Sequence, residues 1–194
     1  IIDDKRIFDQ NVRNPEFFRV DNDDNNDLYI LVGSQNGLQY LRLNSFGDVV
    51  FNPIVLPFVG FVSDIAVEKD TGVIHILTVG RTNGLFYQKI DKNGNILVNE
   101  LQISPSPLYP AGIALDTDKN AHIFWWDAEQ NPRFRYSKVD SSGNIIIDNM
   151  PIREDGEANA GRASTAIDGN NNAHALSRRN YAKISPNGTI LLEK

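Results

Sequence analysis

Ile113-Ala-Leu-Asp-Thr-Asp-Lys-Asn-Ala-His-Ile-Phe-Trp-Trp-Asp127, followed after a short gap by Tyr136-Ser-Lys-Val-Asp-Ser-Ser-Gly-Asn-Ile145, contains the whole folding plan of this chain. A short apolar run ends in an acid, and Asp/Asn residues that favour turns come next. A second apolar run carries a histidine at its second position. After an interval a third run begins with tyrosine and alternates, so that Tyr136, Lys138 and Asp140 fall on one face. A glycine turn then leads into Ile145-Ile-Ile147. Four short strands separated by turns are the reading of this stretch.

The same plan recurs along the chain. Tyr40-Leu-Arg42, Tyr87-Gln-Lys89, Tyr136-Ser-Lys138 and Tyr181-Ala-Lys183 each lead to a glycine, at Gly47, Gly94, Gly143 and Gly188. Upstream of the last three tyrosines lie Ile65-Ala-Val-Glu68, Ile113-Ala-Leu-Asp116 and Thr165-Ala-Ile-Asp168, then His75, His122 and His174. The first copy, Phe18-Arg-Val-Asp21 followed by Leu28-Tyr-Ile-Leu31, follows the plan less closely. A strand-rich repeat of this period with no helical pattern predicts an all-β fold: a β-propeller of four-stranded antiparallel blades, four repeats in this chain. The expected repeats are 10–52, 62–99, 111–149 and 162–194, within a single domain over 1–194. One blade alone exposes two apolar faces, so repetition is what buries them.

Ile1-Ile2-Asp3-Asp4 resembles Ile145-Ile-Ile-Asp148, so residues 1–9 read as a fifth outer strand, from a preceding or shared blade. The chain is therefore expected to be cut from a longer array, or to self-associate through its spare outer strand.

Composition bounds the function classes. With 41% hydrophobic and 23% charged residues, the chain is a folded one. Its net charge of −6 argues against nucleic acid as a partner. There is no cysteine, which excludes disulfides, Cys-ligated metals and thiol nucleophiles. No apolar run is long enough for a membrane-spanning helix.

The stretch over 113–145 resembles sialidase-superfamily-like repeats of exported archaeal and bacterial proteins, and Pro110-Ala-Gly-Ile-Ala-Leu-Asp116 resembles the related NHL repeats. The resemblance covers nearly the whole chain and implies a propeller fold in an extracellular or cell-surface protein. The sialidase Asp-box, Ser-x-Asp-x-Gly-x-x-Trp, is absent, because Ser137-Lys-Val-Asp140-Ser-Ser-Gly143 has a different spacing. No catalytic residue is carried over.

The repeated histidines and tyrosines read as blade architecture, since equivalent positions are spread around a ring. Asp21, Asp23, Asn25 and Asp27 place oxygen ligands at alternate positions and form a candidate Ca2+ loop, with an ordinary acidic turn as the alternative. The connections between second and third strands, and between blades, are expected to share one face. That face would gather Arg81, Trp126, Arg133, Arg162 and Arg178, with Arg179 and the loop Ser104–Pro110. Trp125 is expected in the core and Trp126, pointing the other way, at the surface. Arginines beside an exposed aromatic suit an acidic glycan or a protein loop. The functional expectation is a non-catalytic binding or structural module, with self-association into a filament or oligomer as a special case. The alternative is a sialidase-like glycan hydrolase.

Overall fold

Each of the four tyrosine strands lies third in its own four-stranded antiparallel sheet. The computed structural model describes residues 17–34, 37–58, 60–80, 84–105, 111–127, 129–130, 132–153, 163–177 and 180–193. Blade 1 comprises β1 (Phe17–Asn22), β2 (Leu28–Ser34), β3 (Gly37–Leu43) and β4 (Val49–Leu56). Blade 2 comprises β5 (Phe61–Val67), β6 (Ile74–Val79), β7 (Leu85–Ile90) and β8 (Ile96–Ser104). Blade 3 comprises β9 (Gly112–Leu115), β10 (Ala121–Trp126), β11 (Phe134–Val139) and β12 (Ile145–Arg153). Blade 4 comprises β13 (Ser164–Ile167), β14 (Ala173–Ser177), β15 (Asn180–Ile184) and β16 (Ile190–Glu193). Strand order within every sheet is sequential, and the described residues contain no helix. This is the propeller blade the repeat predicts. Residues 1–9, read as an extra outer strand, lie outside the described residues.

The outer strands of blades 1 to 3 run well past the apolar triplets that mark them in the sequence. In β4, β8 and β12 a register shift follows the tyrosine pair, between Tyr40 and Arg42, Tyr87 and Lys89, and Tyr136 and Lys138. These bulges twist the outer edge, and the strands beyond them alternate too weakly in hydrophobicity to be seen as sequence runs.

The core lies between blades, not within them. Tyr29, Leu31, Leu38 and Tyr40 of blade 1 meet Ile65, Val67, Ile74, Ile76 and Ile90 of blade 2. Leu77, Leu85 and Tyr87 of blade 2 meet Ile113, Ile123, Trp125 and Val139 of blade 3. Phe124, Trp126, Phe134 and Tyr136 of blade 3 meet Ala173, Ala175, Ala182 and Ile184 of blade 4. At this last interface bulky rings of blade 3 face alanines of blade 4, which lets the sheets close to packing distance. The inner strands neighbour one another in the order β1, β5, β9, β13, and no interface of comparable extent joins β13 back to β1 among the described residues.

Candidate functional site

A recurring polar group holds each interface. In blade 3 the Asp116 carboxylate caps its own turn, accepting from the backbone N–H of Asp118 and Asn120 at 3.0 and 2.9 Å. Its other oxygen lies 3.1 Å from His122 Nε2 and 3.0 Å from Lys138 Nζ. His122 Nδ1 lies 2.9 Å from the Tyr136 hydroxyl. A carboxylate only accepts, so Nε2 carries the proton and Nδ1 accepts from the tyrosine O–H. Blade 2 builds the same group from Glu68, His75, Tyr87 and Lys89, and blade 4 from Asp168, His174, Tyr181 and Lys183.

Burial opposes the charge on Asp116, but hydrogen bonds from Asn120, His122 and Lys138 outweigh it and hold the carboxyl at about 2. Glu68 is likewise held well below the carboxylate range, burial again being overcome by bonds from His75, Thr71 and Lys89. Burial depresses both His75 and His122, so each imidazole is neutral beside an ionised acid. Burial also pushes Tyr87 and Tyr136 far up. The histidines and tyrosines are thus blade architecture, as their repetition implies.

Blade 1 varies the theme. Tyr29 stands where the others have histidine, and its hydroxyl reaches Asp23 directly at 3.0 Å. Burial and the Asp23 acceptor push that hydroxyl up to about 12. Tyr40, with no imidazole to bond, donates instead to Lys92 O of blade 2 at 2.8 Å. The acid of this group is Asp23, and not Asp21, which ends the first apolar run in the sequence.

Asp21, Asp23 and Asp27, the carboxylates of the candidate Ca2+ loop, each take partners within the protein. Asp21 turns to the next blade, accepting from Val67 N at 2.8 Å and pairing with Lys69 at 2.7 Å. Asp23 accepts from Asn25 N and Asp27 N, while the Asp27 carboxylate lies 3.7 Å from Arg42. Among the described residues no group of three or more acids and histidines could hold a metal ion. The segment forms a turn whose carboxylates bond to its own backbone, to Tyr29 and Arg42 of the same blade, and to Val67 and Lys69 of the next.

The expected loop-face site is only partly described. Arg81, Arg162, Arg178 and Arg179 lie outside the described residues, as do 106–110 of the proline-rich loop. Arg133 is half-buried, and its carbonyl accepts from Asp127 N at 2.8 Å, closing the β10–β11 connection. Trp125 is in the core, as expected. The expectation of an exposed Trp126 is corrected: it is buried, and its Nε1 donates to Ser177 Oγ of blade 4 at 2.8 Å. In a propeller the opposite side of a strand faces another blade and not solvent, and the alanines of blade 4 make room for the indole.

The inner strands enclose a trough of about 740 Å³, in the size range of small-ligand sites. Asp21, Asp64, Lys69, Thr117, Lys119 and Ser164 are among its lining residues. Several are fixed across blade boundaries: Lys119 pairs with Glu68 at 3.3 Å and Asp70 at 2.8 Å, and Asp64 accepts from Ile113 N at 3.2 Å. Sequence reading missed this trough, because its residues come from four blades and share no motif. The available signal was the position just after each acid, where Lys69 and Thr117 project from the inner turns.

No family model matches the sequence, and no curated protein matches it. Solved structures do. A lectin from Burkholderia pseudomallei aligns over 91% of this chain and 55% of its own, at 14% identity and a TM-score of 0.62. An α-L-arabinofuranosidase from Clostridium thermocellum aligns over 91% of this chain and 71% of its own, at 12% identity and TM-score 0.56. A Bacteroides fragilis protein named as exported aligns over 92% of this chain and 49% of its own, at 15% identity and TM-score 0.55. The chain thus spans about half the length of the lectin and of the Bacteroides protein. These likenesses carry the fold alone, and they agree with the strand order, the interblade cores and the repeat: the chain is built as blades of a β-propeller.

Proposed function

We propose that this chain is a non-catalytic binding propeller of a secreted or cell-surface protein, holding a glycan or a protein loop. Its repeats are of the sialidase-like kind that the sequence resembles. The observation that carries this reading is the inner trough: hydroxyls, carboxylates and lysines fixed by bonds between blades surround a cavity of ligand size. Such preorganised donors and acceptors suit a polyhydroxylated ligand, which gains from groups that need no ordering on binding. The repeated acid, histidine, tyrosine and lysine are buried and serve packing in blades 2 and 3. Arg81, Arg133, Arg162 and Arg178, expected on the loop face, are proposed as further contact residues; Trp126, buried against blade 4, is not among them.

The test is a glycan array and calorimetry on the full chain, with product analysis for new reducing ends. Binding to a defined oligosaccharide class is expected, weakened at least tenfold by Ser164→Trp, which fills the trough from an exposed position. Hydrolysis would support a glycan-acting enzyme instead, and equal binding by Ser164→Trp would remove the trough from the proposal.

A further inference from the structure

Every internal interface is bridged in two places, by a third-strand side chain that reaches the next blade's hairpin and by a side chain of the next blade's first turn that reaches back. On the downstream flank, a basic or tyrosine side chain of the third strand donates to the carbonyl just before the apex of the next blade's hairpin. Tyr40 donates to Lys92 O at 2.8 Å, Lys89 to Ser141 O at 2.9 Å and Lys138 to Pro186 O at 3.0 Å. The turn glycine of that next hairpin lies under the preceding outer strand. A Cβ at Gly94 would come 2.4 Å from Ile54, one at Gly143 2.6 Å from Val98, and one at Gly188 2.6 Å from Ile147. On the upstream flank, the first turn of each blade reaches back. Lys69 reaches Asp21, Lys119 reaches Glu68, and Asn171 Oδ1 accepts from Thr117 N at 3.2 Å.

Blade 4 carries the downstream half of this interface with nothing described against it. The side chains of Asp168, His174 and Lys183 are 27%, 29% and 29% exposed, whereas those of Asp116, His122 and Lys138 are 1%, 0% and 6%. Leu176, at the position of fully buried Phe124, is 52% exposed, and Leu192 of the outer strand is also exposed. Lys183 holds Asp168 but no hairpin carbonyl among the described residues.

Blade 1 carries the upstream half. Its hairpin has the same form, with Gly47 at φ 84° and open space where a Cβ would point. Phe46 beside it is exposed, as are Phe18 and Val20 on the upstream flank. Asn26, at the position of Asn171 and with the same left-handed backbone, is exposed.

We infer that blade 4 of one copy docks blade 1 of a second copy, head to tail, in the register of the internal interfaces. Lys183 then donates to Ser45 O of the second copy, Leu192 covers Gly47, and Asn26 accepts from Gly169 N. The occupant is a second copy because this chain supplies both complementary halves. Such a contact is heterologous, and it closes a ring when the second pair of flanks meets. The inference does not depend on what the trough binds.

Sedimentation of the full chain from low micromolar to near-millimolar concentration tests it. Concentration-dependent association to twice the chain mass is expected, weakened at least tenfold by Leu176→Asp and by Leu192→Asp. Both positions are exposed, so circular dichroism of the monomer should match the parent. Because the chain has no cysteine, Phe46→Cys and Leu192→Cys proteins mixed together should be bridged by a short bis-maleimide. Neither variant alone should be bridged. A single-chain mass at every concentration would overturn the inference, as would a dimer that both aspartate variants leave intact.

Discussion

At the scale of the residue, the acid–imidazole–phenol group makes stability depend on pH in a defined direction. His75 and His122 have folded-state pKa values below the ordinary 6.5, so the unfolded chain takes up protons first as pH falls. Stability is full above about 6.5 and declines below it. Glu68 and Asp116 are depressed from 4.5 and 3.8, so their contribution is present above those values and is lost further into acid. The melting temperature should therefore fall in two stages, the first between pH 7 and 5. His122→Gln should flatten that first stage; a melting curve as steep as the parent's would refute the assignment. Much of this group was readable in the sequence as recurring residue types. Its wiring was not, because the spacing of acid to histidine changes from seven in blade 2 to six in blades 3 and 4. The added residue there is absorbed by the turn around Gly72.

Among the elements, the hairpin between third and fourth strands does two jobs with one glycine. The backbone requires positive φ at Gly47, Gly94, Gly143 and Gly188, and the last three also lie against a neighbouring outer strand. The two demands separate experimentally. Gly47→Ala should cost about 1–2 kcal/mol from backbone strain alone. Gly143→Ala adds a clash with Val98 and should cost roughly 1–3 kcal/mol more. Equal losses by urea denaturation at monomer concentration would show that the second demand is not felt. The sequence reveals the positive-φ glycine through Asn-Gly and Ser-Gly pairs, but it does not reveal the approach of another blade. Trp126 was misjudged for the same reason. Strand alternation says which side a residue takes, and only the identity of the facing element, here the alanines of β14 and β15, says whether that side is wet.

Across the whole molecule, protection from solvent is graded. Blades 2 and 3 are sandwiched on both flanks, whereas blade 4 is covered on one among the described residues. Local opening follows buried contact, so amide exchange in β14 and β15 should be about tenfold or more faster than in β10 and β11 in dilute solution. Hydrogen exchange read by mass spectrometry checks this; uniform protection across the four blades would contradict it. The repeat made this architecture legible from residue types alone, and the period sufficed to choose a propeller. The unequal cover of its members was hidden, because the residues of blade 4 match those of the buried blades almost position for position.

The directionality of the hairpin contact has a consequence for inheritance. Each repeat brings a donor on one side and the matching carbonyl and glycine on the other. A coding segment duplicated in frame by one period therefore arrives already fitted to its parent on both sides. An array of this kind can lengthen or shorten by whole units while every junction keeps its chemistry, so gene copying alone can retune the curvature and diameter of the assembly.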